Sequence, residues 1–329
     1  MRRVLLTAAA VHETGSEANA GEDANRLRRM DRFGRAGFLA GTRAFAAAGL
    51  AREASPHGRS GVVVGTRHGC RSAITEHAAR LASAQRVEDL APSVFAATVH
   101  NTVGGELAIA LGLGGVSETI VSGRTAGLEA LMLGARRVAA GDADRILVVA
   151  AEGVDEAMRA AWEEEKLAFG GRAAGVELAE TGAAVLLEAE EEDEEKISAR
   201  KEKAGFLDGC LFFEPDARRA AARLLEWMKG VESRAGGGAA PPAGTLCGPA
   251  YEDFLEGNKD REKKKEEETA PLVERFGAAG LFEIAGAIVA RHARATVQPP
   301  PHSPSKKIRA YVTRDVTGAV AAVALDFWS

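Results

Sequence analysis

Short, continuous apolar runs alternate with helical periodicity along the first part of the chain. Three such runs are residues 61–66, 119–121 and 145–151. An apolar run without polar alternation is typical of a strand that is covered on both faces, as in the centre of a parallel sheet. Helical patterns between the runs supply the crossovers that parallel strands require. The alternation therefore predicts an α/β fold with a largely parallel sheet.

Other segments extend this pattern to the whole chain. Further strands are predicted at 4–11, 181–188, 197–207, 245–247, 311–313 and 318–327. Helices are predicted at 25–48, 71–83, 98–111, 216–229 and 281–289. An acidic run at 188–196 is typical of a solvated turn. It marks a predicted border between two halves, 1–190 and 191–329.

Composition excludes several classes of protein. The chain is 46% hydrophobic and 27% charged with a net charge of −5, which is typical of a soluble globular protein and gives no indication of a nucleic-acid partner. No apolar run approaches the roughly 18 residues that span a bilayer, so no membrane segment is expected. Cysteines and histidines are scattered without metal-ligand spacing, so we expect neither a metal nor a cofactor and favour a reducing cytoplasm. The cysteines are Cys70, Cys210 and Cys247.

Residues 116–127 are predicted to form a strand that turns directly into a helix. The helix has one apolar stripe, made by Leu128, Leu131, Met132, Ala135 and Val138. Several folds present a nucleophile at such a turn, where the helix dipole favours negative charge. Here the residue at that place is Arg124. A guanidinium stays protonated and has no acceptor lone pair, so the segment is either an ordinary turn or a site without its nucleophile.

Several phrases, in this order, resemble the β-ketoacyl synthases, the condensing enzymes of the thiolase superfamily. They are residues 92–95, 101–102, 108–115, 134–152, 180–188 and 277–283. The resemblance is strong from about residue 60 to 190 and weak after 195. It implies a thiolase-like, layered α-β-α-β-α fold of two similar βαβ-rich halves, of which the second is shortened. It also implies an acyl carrier protein as a partner.

The same resemblance implies a catalytic cysteine and two histidines, and this chain departs from all three. Matching by position places Arg124 at the position of the family's cysteine and Glu274 at the position of its second histidine. Cys247 is the residue nearest to the position of the first histidine. A glycine-rich loop of the family is also replaced, by residues 313–318. We therefore expect no condensing activity by the usual route.

Three functions remain open at this point. The first is a non-catalytic subunit of the chain-length-factor type, which pairs with an active β-ketoacyl synthase in type II polyketide or fatty acid (polyene) biosynthesis. The second is altered chemistry, such as malonyl-thioester decarboxylation, in which Arg124 holds the carboxylate and Glu274 or Cys247 moves a proton. The third is a homodimeric scaffold or ligand-binding protein.

Local expectations follow for individual side chains. A buried Arg124 at a helix N-terminus needs a counter-ion, so we predict an ion pair with Glu274, or else with Glu106 or Glu129. His68 and His100 are expected to be structural histidines in loops near the site. Phe95 is expected in the core.

Overall fold

The structure, a computed structural model, describes most of the first 190 residues and separate parts of the remainder. The described residues are 2–13, 23–50, 58–86, 92–168, 177–190, 204–213, 217–234, 246–247, 273–274, 281, 284–285, 306–314 and 319–328.

Helices and strands alternate as the apolar runs predict. The described helices are α1 (Ala24–Leu27), α2 (Arg32–Ala47), α3 (Arg71–Ser83), α4 (Pro92–Ala96), α5 (Thr102–Leu111), α6 (Ala126–Ala140), α7 (Glu156–Ala168) and α8 (Ala217–Arg234). The described strands are β1 (Val4–Glu13), β2 (Ser60–Thr66), β3 (Ser117–Val121), β4 (Arg145–Glu152), β5 (Glu177–Leu178), β6 (Thr181–Ala189), β7 (Ala204–Phe213), β8 (Leu246–Cys247), β9 (Val273–Glu274), β10 (Lys306–Arg314) and β11 (Ala319–Trp328). Of the strand predicted at 197–207, residues 204–207 belong to β7, and residues 197–203 lie outside the described residues.

The main sheet has the strand order β3-β2-β4-β6-β1-β7-β11-β10-β8. Strands β3, β2 and β4 are mutually parallel, as is the short β8–β10 pair. Strand β6 is antiparallel to both of its neighbours, β4 and β1. The expectation of a largely parallel sheet is therefore wrong. A continuous apolar run reports only that both faces are covered, and it does not report strand direction.

The layered α-β-α-β-α fold is confirmed. Helices α2 and α5 cover one face of the strands from the first part of the chain, and α6 covers the other face. Helix α6 also contacts β7 and β11, so it lies between two parts of the curled sheet. Helix α8 packs on the far side of β11 through Ala220 and Leu224. The division into halves at residue 190 stays a prediction.

The helix predicted at 25–48 is interrupted. Asp31, between α1 and α2, has an extended backbone, and its Oδ1 accepts a hydrogen bond of 2.7 Å from the N–H of Gly34. This is N-cap geometry, so a new helix begins at Arg32. The apolar pattern of the sequence continues across the break between α1 and α2, and for that reason it did not predict the break.

The described helices include none that is long and apolar enough to cross a membrane.

Candidate functional site

The candidate site lies where three parallel strands end together. Thr66 of β2 is in register with Val121 of β3, and β4 runs beside them to Glu152. The N–H of Ser122, the first residue after β3, donates to the carbonyl oxygen of Thr66 at 3.1 Å. This hydrogen bond joins the strand-turn-helix segment to the end of β2. The carboxyl edge of a parallel sheet is where α/β proteins commonly bind ligands.

The turn before α6 is held by one carboxylate. Oε1 of Glu129 accepts hydrogen bonds from the hydroxyls of Ser122, at 2.9 Å, and Thr125. Thr125 is buried and is the N-cap residue of α6. A negative charge in the first turn also complements the helix dipole. The turn is therefore fixed by side-chain hydrogen bonds that do not involve Arg124.

Arg124 lies over an aromatic ring. Its Cζ is 5.6 Å from the ring centroid of Trp162, within the range of a cation–π interaction. Trp162 belongs to α7 and is buried in a small apolar cluster with Val154, Met158 and Leu178. A guanidinium thus lies in the turn between β3 and α6, the turn at which the sequence predicts a missing nucleophile.

The other two positions at which the sequence predicts replaced catalytic groups lie on short strands. In β9, Glu274 is in register with Leu178 of β5, and Leu178 belongs to the cluster around Trp162. The structure therefore brings the chain at Glu274 into the neighbourhood of Arg124. Cys247 is on β8, where it is in register with Tyr311, at the opposite end of the strand order from β3. The side chains of Glu274 and Cys247 lie outside the described residues.

Two of the three proposed counter-ions for Arg124 have other partners. Glu106 forms an ion pair with Arg26 of α1. Glu129 accepts from the two hydroxyls of the turn. An ion pair between Arg124 and Glu274 stays a prediction.

A buried carboxylate organises the loop beside the turn, and the sequence analysis missed it. Glu152 is fully buried, and it accepts hydrogen bonds from Thr66 Oγ1 at 3.1 Å, from the N–H of His68 at 3.2 Å and from the N–H of Arg67. Nδ1 of His68 also lies 3.3 Å from Oε2 of Glu152. An acid that ends an otherwise apolar strand is the available sequence signal. The expectation that His68 is near the site and structural agrees with these contacts.

His100 contacts the same loop at Cys70. Its Nδ1 is 3.5 Å from Sγ of Cys70, and a Cβ on Gly69 would lie only 2.2 Å from that Nδ1. Gly69 has a φ of +55°, so this approach needs glycine for both space and conformation. Burial raises the pKa of the Cys70 thiol to about 11. The thiol is therefore protonated at neutral pH, and a protonated thiol is a poor nucleophile.

Phe95 is not in the core. Its side chain is 61% exposed, and its ring lies 5.6 Å from that of His77 on α3. The expectation of a core position is wrong because α4, which carries Phe95, is a short helix that packs mainly against α3. The neighbouring helix is itself mostly exposed, with Ala73 as its buried residue.

A basic cavity of about 490 Å³ lies near the beginning of α2 and α3. It is lined by four arginines, Arg28, Arg29, Arg32 and Arg35. It is also lined by three carboxylates, and Arg32 forms an ion pair with Glu180. Asp31 caps α2, Asp155 accepts from Ser72 and from the N–H of Met158, and Glu76 pairs with Arg80.

Three solved structures with this fold are described as ketosynthases. One is described as the ishigamide ketosynthase/chain length factor, with a TM-score of 0.67 and 21% identity over 98% of this chain and 99% of that one. A second is a type II polyketide synthase acyl carrier protein in complex with its ketosynthase bound to the hexaketide, with a TM-score of 0.66 and 16% identity over the full length of both chains. A third is a beta-ketoacyl synthase from Burkholderia phymatum STM815, with a TM-score of 0.68 and 14% identity over 99% of each chain. At these identities the likeness establishes the fold.

The family follows from sequence. No curated protein matches the chain. The family model for the beta-ketoacyl synthase N-terminal domain matches residues 15–193, more than half of the 329 residues. That segment includes β2, β3, β4 and the turn that carries Arg124. The chain therefore belongs to the beta-ketoacyl synthase family.

Proposed function

We propose that this chain is a non-catalytic subunit of the chain-length-factor type, which pairs with an active β-ketoacyl synthase in type II polyketide or fatty acid (polyene) biosynthesis. The observation that carries the proposal is Arg124 at the beginning of α6, with its guanidinium over Trp162. Arginine stays protonated in proteins and cannot attack a thioester. The family fold is present, and the group that performs the family's chemistry is replaced.

The preserved turn supports a structural role for this segment. Glu129 holds the hydroxyls of Ser122 and Thr125, and Ser122 is bonded to the end of β2. These contacts hold β3, the turn and α6 together without any contribution from a nucleophile. Retention of the scaffold without the nucleophile is expected when the surface around the site, rather than its chemistry, carries the function.

Strand β3 offers an edge to a partner. Among the described strands, it pairs with β2 on one side only, at the end of the main sheet. Val121 on this strand is 46% exposed, and Ile109 on the adjacent helix α5 is 73% exposed. An exposed strand edge with apolar neighbours is suited to pairing with another chain. We assign this edge to the β-ketoacyl synthase subunit.

Co-purification tests the pairing. A tagged β-ketoacyl synthase subunit from the same biosynthetic system should retain the full-length chain as a 1:1 heterodimer. Val121→Lys on the β3 edge should disrupt the heterodimer. Leu211→Lys, a matched change at a strand residue that is 54% exposed on β7, should not. A chain that forms only homodimers in the presence of the synthase would contradict the proposal and favour a scaffold.

Chemistry by the chain alone would also contradict the proposal. The purified chain should not release carbon dioxide from a malonyl thioester. Release that is lost in Arg124→Ala would instead support a decarboxylase, in which the guanidinium holds the substrate carboxylate.

The basic cavity supports an acyl carrier protein as a second partner. Arg28 and Arg29 are exposed, and in the described structure they form no ion pair. Arg28 and Arg29 thus offer two exposed guanidinium groups to an anionic surface, and charge complementarity chiefly increases the rate and specificity of association. We propose that an acyl carrier protein docks here through acidic side chains while it is bound to the heterodimer.

Charge reversal tests this docking. The double variant Arg28→Glu/Arg29→Glu should weaken binding of an acyl carrier protein to the heterodimer at least tenfold, and the binding should weaken with salt in the unmodified protein. Arg136→Glu, which changes an exposed arginine on α6, is the control and should leave binding unchanged. Equal affinities for the two variants would remove the cavity from the proposal.

A further inference from the structure

The cavity near the beginning of α2 and α3 presents both signs of charge. Its wall includes the exposed Arg28 and Arg29, and also the carboxylates of Asp31, Glu76 and Asp155. An acidic partner is attracted by the two exposed guanidinium groups, and it is repelled by any carboxylate whose charge is not cancelled locally. The carboxylates that keep their charge toward the cavity therefore limit how strongly such a partner binds.

Two of these carboxylates are held by uncharged donors. Oδ1 of Asp31 accepts from the N–H of Gly34 at 2.7 Å. Asp155 accepts from the hydroxyl of Ser72 at 2.9 Å through Oδ2 and from the N–H of Met158 at 2.7 Å through Oδ1. Among the described residues, neither carboxylate forms an ion pair. Hydrogen bonds from uncharged groups hold both side chains at the wall and leave their negative charge in place.

The other charged groups of the wall come from three parts of the chain. They are Arg28, Arg29, Arg32 and Arg35 from α2 and the turn before it, Glu76 from α3 and Asp155 from the segment before α7. Two of these, Glu76 and Arg32, are already engaged in ion pairs. Asp31 and Asp155 remain as like charges at one wall of the cavity.

Asp31 binds a proton more readily than an ordinary aspartate. Burial raises its pKa, and the charge of Asp155 raises it further. Hydrogen bonds from the N–H groups of Gly34 and Ala73 and the charge of Arg35 act in the opposite direction, but burial is the largest cause. An acidic surface that docks at the cavity adds another like charge, which again favours the protonated form.

We infer that docking of an acyl carrier protein at this cavity is linked to uptake of a proton by Asp31. The inference rests on the proposed function, which places the carrier protein at Arg28 and Arg29. Ionised Asp31 and Asp155 oppose the acidic surface, and the opposition falls when Asp31 is neutral. Because the complex then binds a proton more readily than the unbound heterodimer, docking becomes stronger as pH falls.

Removal of charge at Asp155 tests whether the carboxylates oppose docking. Asp155→Asn keeps an oxygen for the N–H of Met158, and its NH₂ group can donate to the hydroxyl of Ser72. This variant should lower the dissociation constant of the carrier protein from the heterodimer about threefold at low salt, and the gain should shrink as salt is added. Asp142→Asn, which removes a carboxylate beyond the C-terminal end of α6, is the control and should leave the constant unchanged. Equal constants for the two variants would overturn the opposing role of the cavity carboxylates.

Titration calorimetry tests the proton linkage. Carrier protein is added to the heterodimer at pH 5.5 in two buffers of different ionisation enthalpy, which gives the number of protons taken up. The heterodimer with the unmodified chain should take up more protons than that with Asp31→Asn, by up to about one, and only its dissociation constant should fall at least about twofold further between pH 7.5 and 5.5. Groups on the carrier protein titrate equally with both chains, so the difference belongs to Asp31.

Two outcomes separate this inference from the proposed docking. Equal proton uptake and equal pH dependence in the unmodified chain and Asp31→Asn overturn the role of Asp31 and leave the docking intact. Binding of the carrier protein that is unaffected by Arg28→Glu/Arg29→Glu overturns both the docking at this cavity and the inference.

Discussion

Gly65 and Ala126 are in such close contact that a side chain at residue 65 would collide with the backbone of α6. A Cβ on Gly65 would lie 2.4 Å from the carbonyl oxygen of Ala126. Gly65 is on β2, and Ala126 is the first residue of the helix that follows Arg124. The absence of a side chain at one strand position thus determines how closely the helix approaches the sheet.

Gly65→Ala should therefore destabilise the protein and displace the beginning of α6. The obstacle is backbone rather than a mobile side chain, so we expect a loss of about 1–3 kcal/mol, as for overpacking of a core. The urea midpoint measures this loss. Gly105→Ala is the control, because a Cβ at Gly105 meets nothing within 4 Å, and this helical change should be neutral or stabilising by up to about 1 kcal/mol. Equal midpoints for the two variants would contradict the close approach.

Glu152→Gln should loosen the loop that follows β2. The carboxylate is fully buried and accepts from Thr66, Arg67 and His68. An amide has one acceptor oxygen and brings an NH₂ group toward these donors, so at least one donor is left unsatisfied at a cost of about 1–3 kcal/mol. Glu164→Gln, on the exposed side of α7, should change the unfolding free energy by less than about 0.5 kcal/mol. Hydrogen exchange should also accelerate at residues 67–69 in the first variant alone.

The first part of the fold could be predicted because its strands are continuous apolar runs and its helices have clear stripes. The predicted helix at 71–83 coincides with α3, and the strands predicted in this part of the chain lie close to the observed strands. The direction of β6 could not be predicted, since Val185 and its apolar neighbours are buried equally well in a parallel or an antiparallel ladder.

The candidate site was predictable only where residue type limits chemistry. Arg124 cannot be a nucleophile in any conformation, so the sequence alone predicts that this turn carries no nucleophilic arginine side chain. Its contact with Trp162 depends on where α7 folds back, and no local pattern reports that position. Helix α3 is a similar case, because helical spacing predicts that Ile74 and Leu81 share a face but does not predict that both side chains are exposed.

Arg124→Cys should create a reactive thiol. The preserved turn places residue 124 just before α6, where the helix dipole stabilises a thiolate and can bring a thiol pKa to between about 3.5 and 7.5. The native thiols Cys70 and Cys210 are less reactive, because burial raises the pKa of each to about 11. At pH 7.5, iodoacetamide should add one adduct beyond the unmodified protein, and peptide mass spectrometry should locate it at residue 124. An unchanged number of adducts would show that the turn no longer favours a thiolate.

Asp31→Asn should leave the protein as stable at pH 7 or make it more stable. Burial raises the pKa of Asp31, against the opposing effects of hydrogen bonds from the N–H groups of Gly34 and Ala73 and of the charge on Arg35. Because the folded-state pKa lies above the unfolded value of about 3.9, the folded state binds a proton more readily. The unfolding free energy of the unmodified protein therefore gains a contribution from Asp31 as pH falls, and it loses this contribution as pH rises through the folded-state pKa.

Asparagine caps helices about as well as aspartate but carries no charge to desolvate, so any advantage of Asp31→Asn at pH 7 should shrink as pH falls toward about 4. Urea unfolding at several pH values between these limits measures the difference. Asp31→Ala loses the bond to Gly34 and should be less stable by about 0.5–2 kcal/mol, which separates the contribution of the cap from that of the charge. If Asp31→Asn were as destabilised as Asp31→Ala at pH 7, the ionised carboxylate would be a net stabilising group, and the direction assigned to its pKa would be wrong.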